Sequence, residues 1–296
     1  MIKKVFFDIT SRCNGRCPHC YNNSGVARPN ELSDSQVKDL VDRISERSVA
    51  LSISGGEPFL RDIPKLLADS ANRTKVSITS NGSILNNGIL DFLAENKIHL
   101  TISLDTLDRG RASEIRAGVP LHSVIDNVKK LASVDDIRKN LSVRTTITIQ
   151  THQEITEVID FCVSNNIPKL KINSCNPFGR AKNTKYVTDY FVFSDLLQFI
   201  REYRELKNCD LDIELPVEKY LSSEAKQCTL GNTSINIDSR GQVFPCAFSE
   251  GGLPLGNAIT DSLDDLFDRA IRFEHENNCC KECLVDFRSQ PNTLSE

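Results

Sequence analysis

The sequence predicts an α/β fold: a partial (β/α)6 barrel followed by a small C-terminal unit of one β-hairpin and one helix. Three observations predict it. Strand-like and helix-like segments alternate from the N-terminus to about residue 207, the pattern of a parallel sheet with helices outside. Six such units are too few to close an eight-fold barrel, so an open, curved sheet is expected. The cysteines, 11 in 296 residues, gather towards the two ends, with Cys13, Cys17 and Cys20 in one group and Cys228, Cys246, Cys279, Cys280 and Cys283 in the other. Cys162, Cys175 and Cys209 are scattered between. That distribution suggests two metal sites joined by a scaffold, divided as residues 1–207 and 208–296.

The first strand is the apolar run from Val5 to Thr10, and the loop behind it carries Cys13, Cys17 and Cys20 in a CxxxCxxC pattern. A helix opens at Ser33 or Asp34, either of which suits an N-cap, and runs to Arg47 with Val37, Leu40, Val41 and Ile44 at helical spacing. The second strand, Val49 to Ser54, stops at Gly55, Gly56, Glu57 and Pro58. A helix from Ile63 to Ala71 follows, then a strand from Lys75 to Thr79 ended by Ser80, Asn81 and Gly82. After a helix from Ile89 to Asn96, the fourth strand runs from Ile98 to Ser103 and stops at Leu104 and Asp105. Leu121 to Ala132 reads as a helix, Leu141 to Ile149 alternates as a strand, and Glu154 to Ser164 is helical. The sixth strand, Lys169 to Asn173, leads into Asn176, Pro177, Phe178 and Gly179, and a helix spans Ser194 to Leu206. Ligands of open parallel sheets sit at the carboxyl ends of the strands. The cysteine loop, the Gly-Gly-Glu turn, Asn81 and the Ser103–Asp105 segment all fall there.

Composition narrows the class. Hydrophobic content of 39% and charged content of 26% are ordinary for a globular protein. A net charge of −4 gives no reason to expect nucleic acid or an anionic membrane surface as partner. No run of about 18 apolar residues occurs, so no membrane span is expected. Met1 to Lys4 lead straight into a strand with no signal-peptide core, which predicts a cytoplasmic location and argues against a disulfide framework.

Three thiolates on one loop can hold three corners of a cuboidal iron–sulfur cluster and leave one iron open to a ligand. Zinc is the ordinary alternative, although it usually shows two CxxC pairs or cysteine with histidine. The CxxxCxxC loop after strand one, Gly55-Gly56-Glu57-Pro58 after strand two and Ser103-Leu104-Asp105 after strand four together resemble the radical S-adenosylmethionine (radical SAM) superfamily. The resemblance implies a [4Fe–4S] cluster on Cys13, Cys17 and Cys20 with S-adenosyl-L-methionine on the open iron. It implies cofactor contacts from His19 beside the adenine, from Gly55 and Gly56 by close backbone approach, and from Glu57 to the methionyl amino group. Asn81, Ser103 and Asp105 would complete the cofactor site, the last two at the ribose or carboxylate, and Arg144 would pair with the methionyl carboxylate. A structural or solvated arginine is the alternative for Arg144. The implied chemistry is one-electron cleavage to methionine and a 5′-deoxyadenosyl radical, which takes a hydrogen atom from an unactivated substrate carbon. The electron would come from a donor such as flavodoxin or ferredoxin.

The C-terminal third repeats the theme. Thr233 to Asp238 and Gln242 to Cys246 read as the strands of a hairpin turned at Ser239, Arg240 and Gly241, and a helix follows from Ser262 to Arg272. Cys280 and Cys283 form a CxxC that, with Cys228 and Cys246, can close a second site; Cys279 competes with Cys280, and zinc fits four cysteines as well. This region resembles the SPASM or twitch extension of radical SAM enzymes, and the lack of cysteine after Cys283 suggests the shorter, one-cluster form. The resemblance implies an auxiliary [4Fe–4S] cluster that accepts the electron left after hydrogen removal. The expected substrate is a natural product, either a small polyol or amino sugar or a ribosomally made peptide, to be oxidised, epimerised or crosslinked. Cys175 and Cys279 are the candidate hydrogen donors for an epimerase; a packed, inert thiol is the alternative. A non-catalytic protein binding the cluster and S-adenosylmethionine is the reading from a different class.

Overall fold

The computed structural model describes residues 1–182, 184–188, 190–207, 210–215, 233–249, 252 and 254–277. Its strands are β1 (Lys4–Thr10), β2 (Ala50–Gly55), β3 (Val76–Ser80), β4 (His99–Ser103), β5 (Leu141–Ile147), β6 (Lys169–Ser174), β7 (Asp212–Glu214), β8 (Ser234–Ile237), β9 (Gln242–Phe244) and β10 (Gly256–Asn257). Its α-helices are α1 (Asp34–Ser45), α2 (Ile63–Leu67), α3 (Asn87–Asn96), α4 (Arg109–Ile115), α5 (Leu121–Ala132), α6 (Asp135–Arg138), α7 (His152–Ser164), α8 (Tyr190–Lys207) and α9 (Leu263–Asn277). The expected parallel sheet is present, with β1 to β7 neighbouring in chain order and each pair parallel.

Local chemistry accounts for the helix starts. Ser33 caps α1 and shares a capping box with Gln36; Thr151 and Glu154 form the same device at α7. The helices α4 and α6 were not expected from periodicity, because each is too short to display an apolar stripe.

The strands alternate sharply. Leu51, Ile53, Ile78, Leu100, Ile102, Val143, Leu170 and Ile172 face the helices and form the apolar core. Their neighbours Ser52, Ser54, Thr79, Ser103, Arg144, Thr146 and Asn173 line a cavity inside the sheet. Parallel sheets buried on both faces usually carry continuous apolar runs. Here the inner face is polar because it encloses a site rather than packed side chains.

The C-terminal hairpin is part of the same sheet. β8 pairs with β1 in parallel, and β9 and β10 continue outward in antiparallel order. Ile235 and Ile237 are fully buried in the core shared with Val5 and Phe7. Continuing the β1 edge removes its unpaired backbone groups from solvent. Among the described residues, no helix is long and apolar enough to cross a membrane.

Candidate active site

The cysteine loop is held by backbone on every side. Cys13 N–H donates to Gly25 (2.9 Å) and Gly25 N–H to Ser11 (2.9 Å), which pins the loop's two ends together. Cys20 N–H turns back to Cys17 carbonyl (3.2 Å), and Arg16 N–H reaches Ala117 (2.6 Å). Cys13, Cys17 and Cys20 all line a cavity of about 480 Å³. Burial pushes the Cys13 and Cys17 thiols up, the Arg116 charge partly opposing this at Cys17. Among the described residues, no three histidine, cysteine or carboxylate side chains converge as a single ion requires. Thiols spread along a cavity wall suit the corners of a cuboidal cluster better than one tetrahedral zinc.

The Gly55-Gly56 turn works differently from the expectation. Both glycines line the cavity, but what their missing Cβ admits is the chain's own backbone. A Cβ on Gly55 would run into the Thr10 carbonyl and one on Gly56 into the Arg12 carbonyl, and Gly55 has φ of +118°. That closeness lets Gly56 N–H donate to Thr10 (2.7 Å) and Glu57 N–H to Arg12 (2.8 Å), fastening the end of β2 to the entry of the cysteine loop.

Glu57 follows directly on this turn. It is fully buried and absent from the cavity wall. Its Oε1 accepts from Phe59 N–H (3.0 Å) and Ser80 Oγ (2.9 Å), and its Oε2 accepts from Asn81 N–H (2.7 Å). Burial pushes this carboxyl up, and the backbone N–H groups of Asn81 and Phe59 pull it back. Glu57 therefore braces the ends of β2 and β3. What it positions is Asn81, which does line the cavity, donates to Asn14 Oδ1 (2.7 Å) and lies 3.9 Å from Cys13 Sγ.

Asp105 is likewise sealed behind the wall. It accepts from Thr146 N–H (2.8 Å) and from Arg116 Nη1 (2.9 Å), and it lies 3.6 Å from His19 Nε2. Asp105 thereby supports two cavity-lining groups, His19 and Arg116. Burial lowers the His19 pKa against the pull of Asp105, which favours a neutral ring, and its buried Nδ1 has no partner among the described residues. For Arg116, burial opposes the charge, but Asp105 and Cys17 outweigh it and keep the guanidinium ionised. Ser103, at the end of β4, and Arg144, in the middle of β5, both line the cavity. Arg144 makes no ion pair among the described residues, its Nε is buried and unpartnered, and burial lowers its pKa. An orphaned guanidinium on the wall suits the carboxylate of S-adenosylmethionine.

Cys175 and Cys246 line the same cavity. Cys175 is 3% exposed and burial, with the Asp105 charge, pushes its thiol up to about 12. Cys162 is buried in the apolar core. Cys209, Cys228, Cys279, Cys280 and Cys283 lie outside the described residues. Sequence reasoning missed Arg116, Arg180 and Asn236. Arg180 donates from its backbone to Cys20 (3.0 Å), from Nε to Cys17 carbonyl (2.9 Å) and from Nη1 to Ser24 carbonyl (2.6 Å), so it clamps the cysteine loop from the end of β6. Gly179 before it has φ of +56° and packs against the Cys20 and Tyr21 carbonyls, the signal that a glycine after the sixth strand did carry.

Comparison with known proteins agrees with this geometry. The Radical SAM superfamily model matches residues 7–162, and a SPASM model, an iron–sulfur cluster-binding domain, matches residues 228–284. The chain is 27% identical over 277 residues to the antilisterial bacteriocin subtilosin biosynthesis protein AlbA of Bacillus subtilis, covering 90% of this chain and 59% of AlbA. It is 25% identical to the sporulation killing factor maturation protein SkfB of the same organism, covering 92% of this chain and 67% of SkfB. The fold is that of Streptococcus suis SuiB, solved bound to its precursor peptide SuiA, with a TM-score of 0.78 at 22% identity over 90% of this chain and 64% of SuiB. The chain thus spans about three fifths of AlbA. With three thiols on a loop after β1, an orphaned arginine across the cavity and a match over more than half its length, the chain belongs to the radical SAM superfamily, with a SPASM cluster-binding region, a [4Fe–4S] cluster with S-adenosylmethionine, and auxiliary iron–sulfur binding.

Proposed function

We propose that the chain is a peptide maturase that oxidises a ribosomally made peptide, removing hydrogen at a carbon and leaving a crosslink or an unsaturation there. The observation that carries this reading is one cavity lined both by Cys13, Cys17 and Cys20 and by Cys246. A substrate held there would have both cysteine groups, each the seat of an electron-transfer centre in this reading, in its surroundings. The likeness to AlbA, SkfB and SuiB supports the peptide class over a small polyol or amino sugar. The cavity, about 480 Å³ and shared with the cofactor, has no room for a folded unit, so a peptide would enter with one residue.

In this reading residues 1–207 form the cofactor-cleaving barrel and residues 208–296 the auxiliary-cluster unit, with Cys228, Cys280 and Cys283 completing the set begun by Cys246. When bound, the loop cluster and S-adenosylmethionine supply one-electron cleavage of a sulfonium bond and removal of a hydrogen atom from an unactivated carbon. The protein's own groups orient and seal. Arg144 pairs with the methionyl carboxylate, Asn81 fixes the Cys13 side, His19 packs as a neutral ring, and Phe6, Val119 and Ile235 keep water from the wall. A flavodoxin or ferredoxin provides the electron.

Anaerobic co-expression with a short peptide encoded beside the gene, read by mass spectrometry, tests the reading. Loss of two hydrogen atoms from the peptide is expected. Formation of 5′-deoxyadenosine with every such peptide unaltered, while a small polyol is oxidised, would overturn it. A Cys13→Ala, Cys17→Ala, Cys20→Ala variant should retain iron, and retention of zinc alone removes the auxiliary cluster. A second reading, epimerisation, is favoured by Cys175: its thiol lines the cavity and stays protonated, as a hydrogen-atom donor must. There the Cys175 S–H bond breaks as a C–H bond forms on the substrate, and one electron from the reductant with one proton restores the thiol. One deuterium gained from D2O with no loss of hydrogen, abolished in Cys175→Ala, would mark that outcome.

A further inference from the structure

A buried amide nitrogen in the cavity wall has no partner among the described residues. Asn236, on β8, is 2% exposed and lines the cavity. Its Nδ2 makes no hydrogen bond among the described residues. Its register neighbours are Phe6 on β1 and Phe244 on β9, so the amide stands in an aromatic stretch of strand. The cofactor groups Asn81, Ser103 and Arg144 come from the end of β3, from β4 and from β5, whereas Asn236 is on β8 and lines the cavity together with Ile235, Cys246 and Phe248 from the same C-terminal stretch. A buried amide donor without an acceptor destabilises the protein that carries it, unless a ligand brings the acceptor.

We propose that Asn236 is the contact that orients the substrate: its Nδ2–H donates to a backbone carbonyl oxygen of the bound peptide and so fixes which carbon faces the Cys13–Cys20 wall. The inference deepens the peptide-maturase reading and rests on it. A side-chain amide is complementary to a peptide unit, offering a donor to the carbonyl and an acceptor to the N–H. Tyr21 and Phe248 line the same cavity, meet edge to face at 5.8 Å and provide an apolar seat for a neighbouring peptide side chain. The donor comes from a rigid strand paired on both sides, which holds its direction before substrate arrives.

Two variants test this. Asn236→Leu keeps the volume and removes the unpaired donor; Asn236→Asp keeps the shape and removes the donor. In cluster-loaded protein without peptide, Asn236→Leu should raise the thermal midpoint by about 2 °C, because an unmet polar group has been deleted. With the co-expressed precursor peptide as probe, both variants should raise KM about tenfold, equivalent to about 1.4 kcal/mol, and yield more 5′-deoxyadenosine per modified peptide. The last readout separates orientation from mere folding, since a misheld peptide lets cleavage run without product. A lowered midpoint in Asn236→Leu would mean that the amide is satisfied within the protein, and an unchanged KM in Asn236→Asp would mean that it does not meet the peptide; either overturns the proposal. If Asn236→Leu does not fold, the KM of Asn236→Asp decides alone. Failure of the wild-type protein to modify any peptide is a different result and counts against the maturase reading itself.

Discussion

Replacing Glu57 by Gln separates bracing from ligand contact. Each carboxylate oxygen of Glu57 accepts from a backbone N–H: Oε1 from Phe59 at 3.0 Å, together with Ser80 Oγ at 2.9 Å, and Oε2 from Asn81 at 2.7 Å. A glutamine amide has one acceptor oxygen. In either orientation its NH2 faces a backbone donor, Asn81 N–H in one and Phe59 N–H in the other. Ser80 can rotate its hydroxyl to accept; a backbone N–H cannot. Two donors left face to face in a fully buried site cost roughly 1–3 kcal/mol each, so Glu57→Gln should lose about 2–6 kcal/mol of stability. The damage should travel to Asn81, whose side chain holds Asn14 and approaches Cys13. Denaturant unfolding of the anaerobically purified, cluster-loaded protein should show a lower midpoint at an unchanged slope. Iron content should fall with it. An unchanged midpoint and full iron content, with S-adenosylmethionine binding alone weakened, would refute the reasoning and return Glu57 to a direct contact with the methionyl amino group.

Three further outcomes follow from the same geometry. Gly56→Ala places a Cβ against the Arg12 carbonyl, which backbone cannot yield, so the variant should fold with poor iron incorporation measured after anaerobic reconstitution; normal loading would show that the turn is not needed to seat the loop. Arg180→Gln removes donors to the Cys17 and Ser24 carbonyls, each worth about 1 kcal/mol, and should broaden the electron paramagnetic resonance signal of the reduced loop cluster; Arg180→Lys should restore it only in part, and a wild-type spectrum in Arg180→Gln would count against the clamp. His99 titrates at about 4 because burial, then Lys171, Lys169 and Lys4, disfavour its charge. The unfolded chain takes up that proton first, near pH 6.5, so the unfolded state gains as pH falls from there towards about 4. Denaturant midpoints should therefore drop on acidification from about pH 7.5 to 5.5, and the drop should shrink in His99→Asn; an equal drop in both would exclude His99 as its source.

Much of this was legible in the chain. The alternation of strands and helices, the position of the cysteine loop behind the first strand and the strand-end placing of Asn81 and Ser103 follow from periodicity and turn residues, which are local properties. Local signals failed where the answer depended on which segments meet. Arg116 reads as an unremarkable residue after a short helix, yet its guanidinium reaches Asp105 at 2.9 Å and lines the cavity. Arg180 sits more than 150 residues from the loop it clamps. Asn236 looks like one polar position in an alternating strand until β8 is seen to lie beside β1.

The sequence by itself determined the inventory: three thiols on one loop, a glycine turn, a parallel sheet and a second cysteine group, because residue type and spacing decide what a local segment can form or hold. Only the tertiary structure decided which polar groups face the cavity and which stand behind it. Glu57 and Asp105 both occupy strand ends that promise ligand contact, and both are consumed by the protein's own N–H groups. The reason is the accounting of buried hydrogen bonds: a carboxylate is held by whichever donors the fold brings within reach, and those donors come from strands that sequence order alone does not bring together.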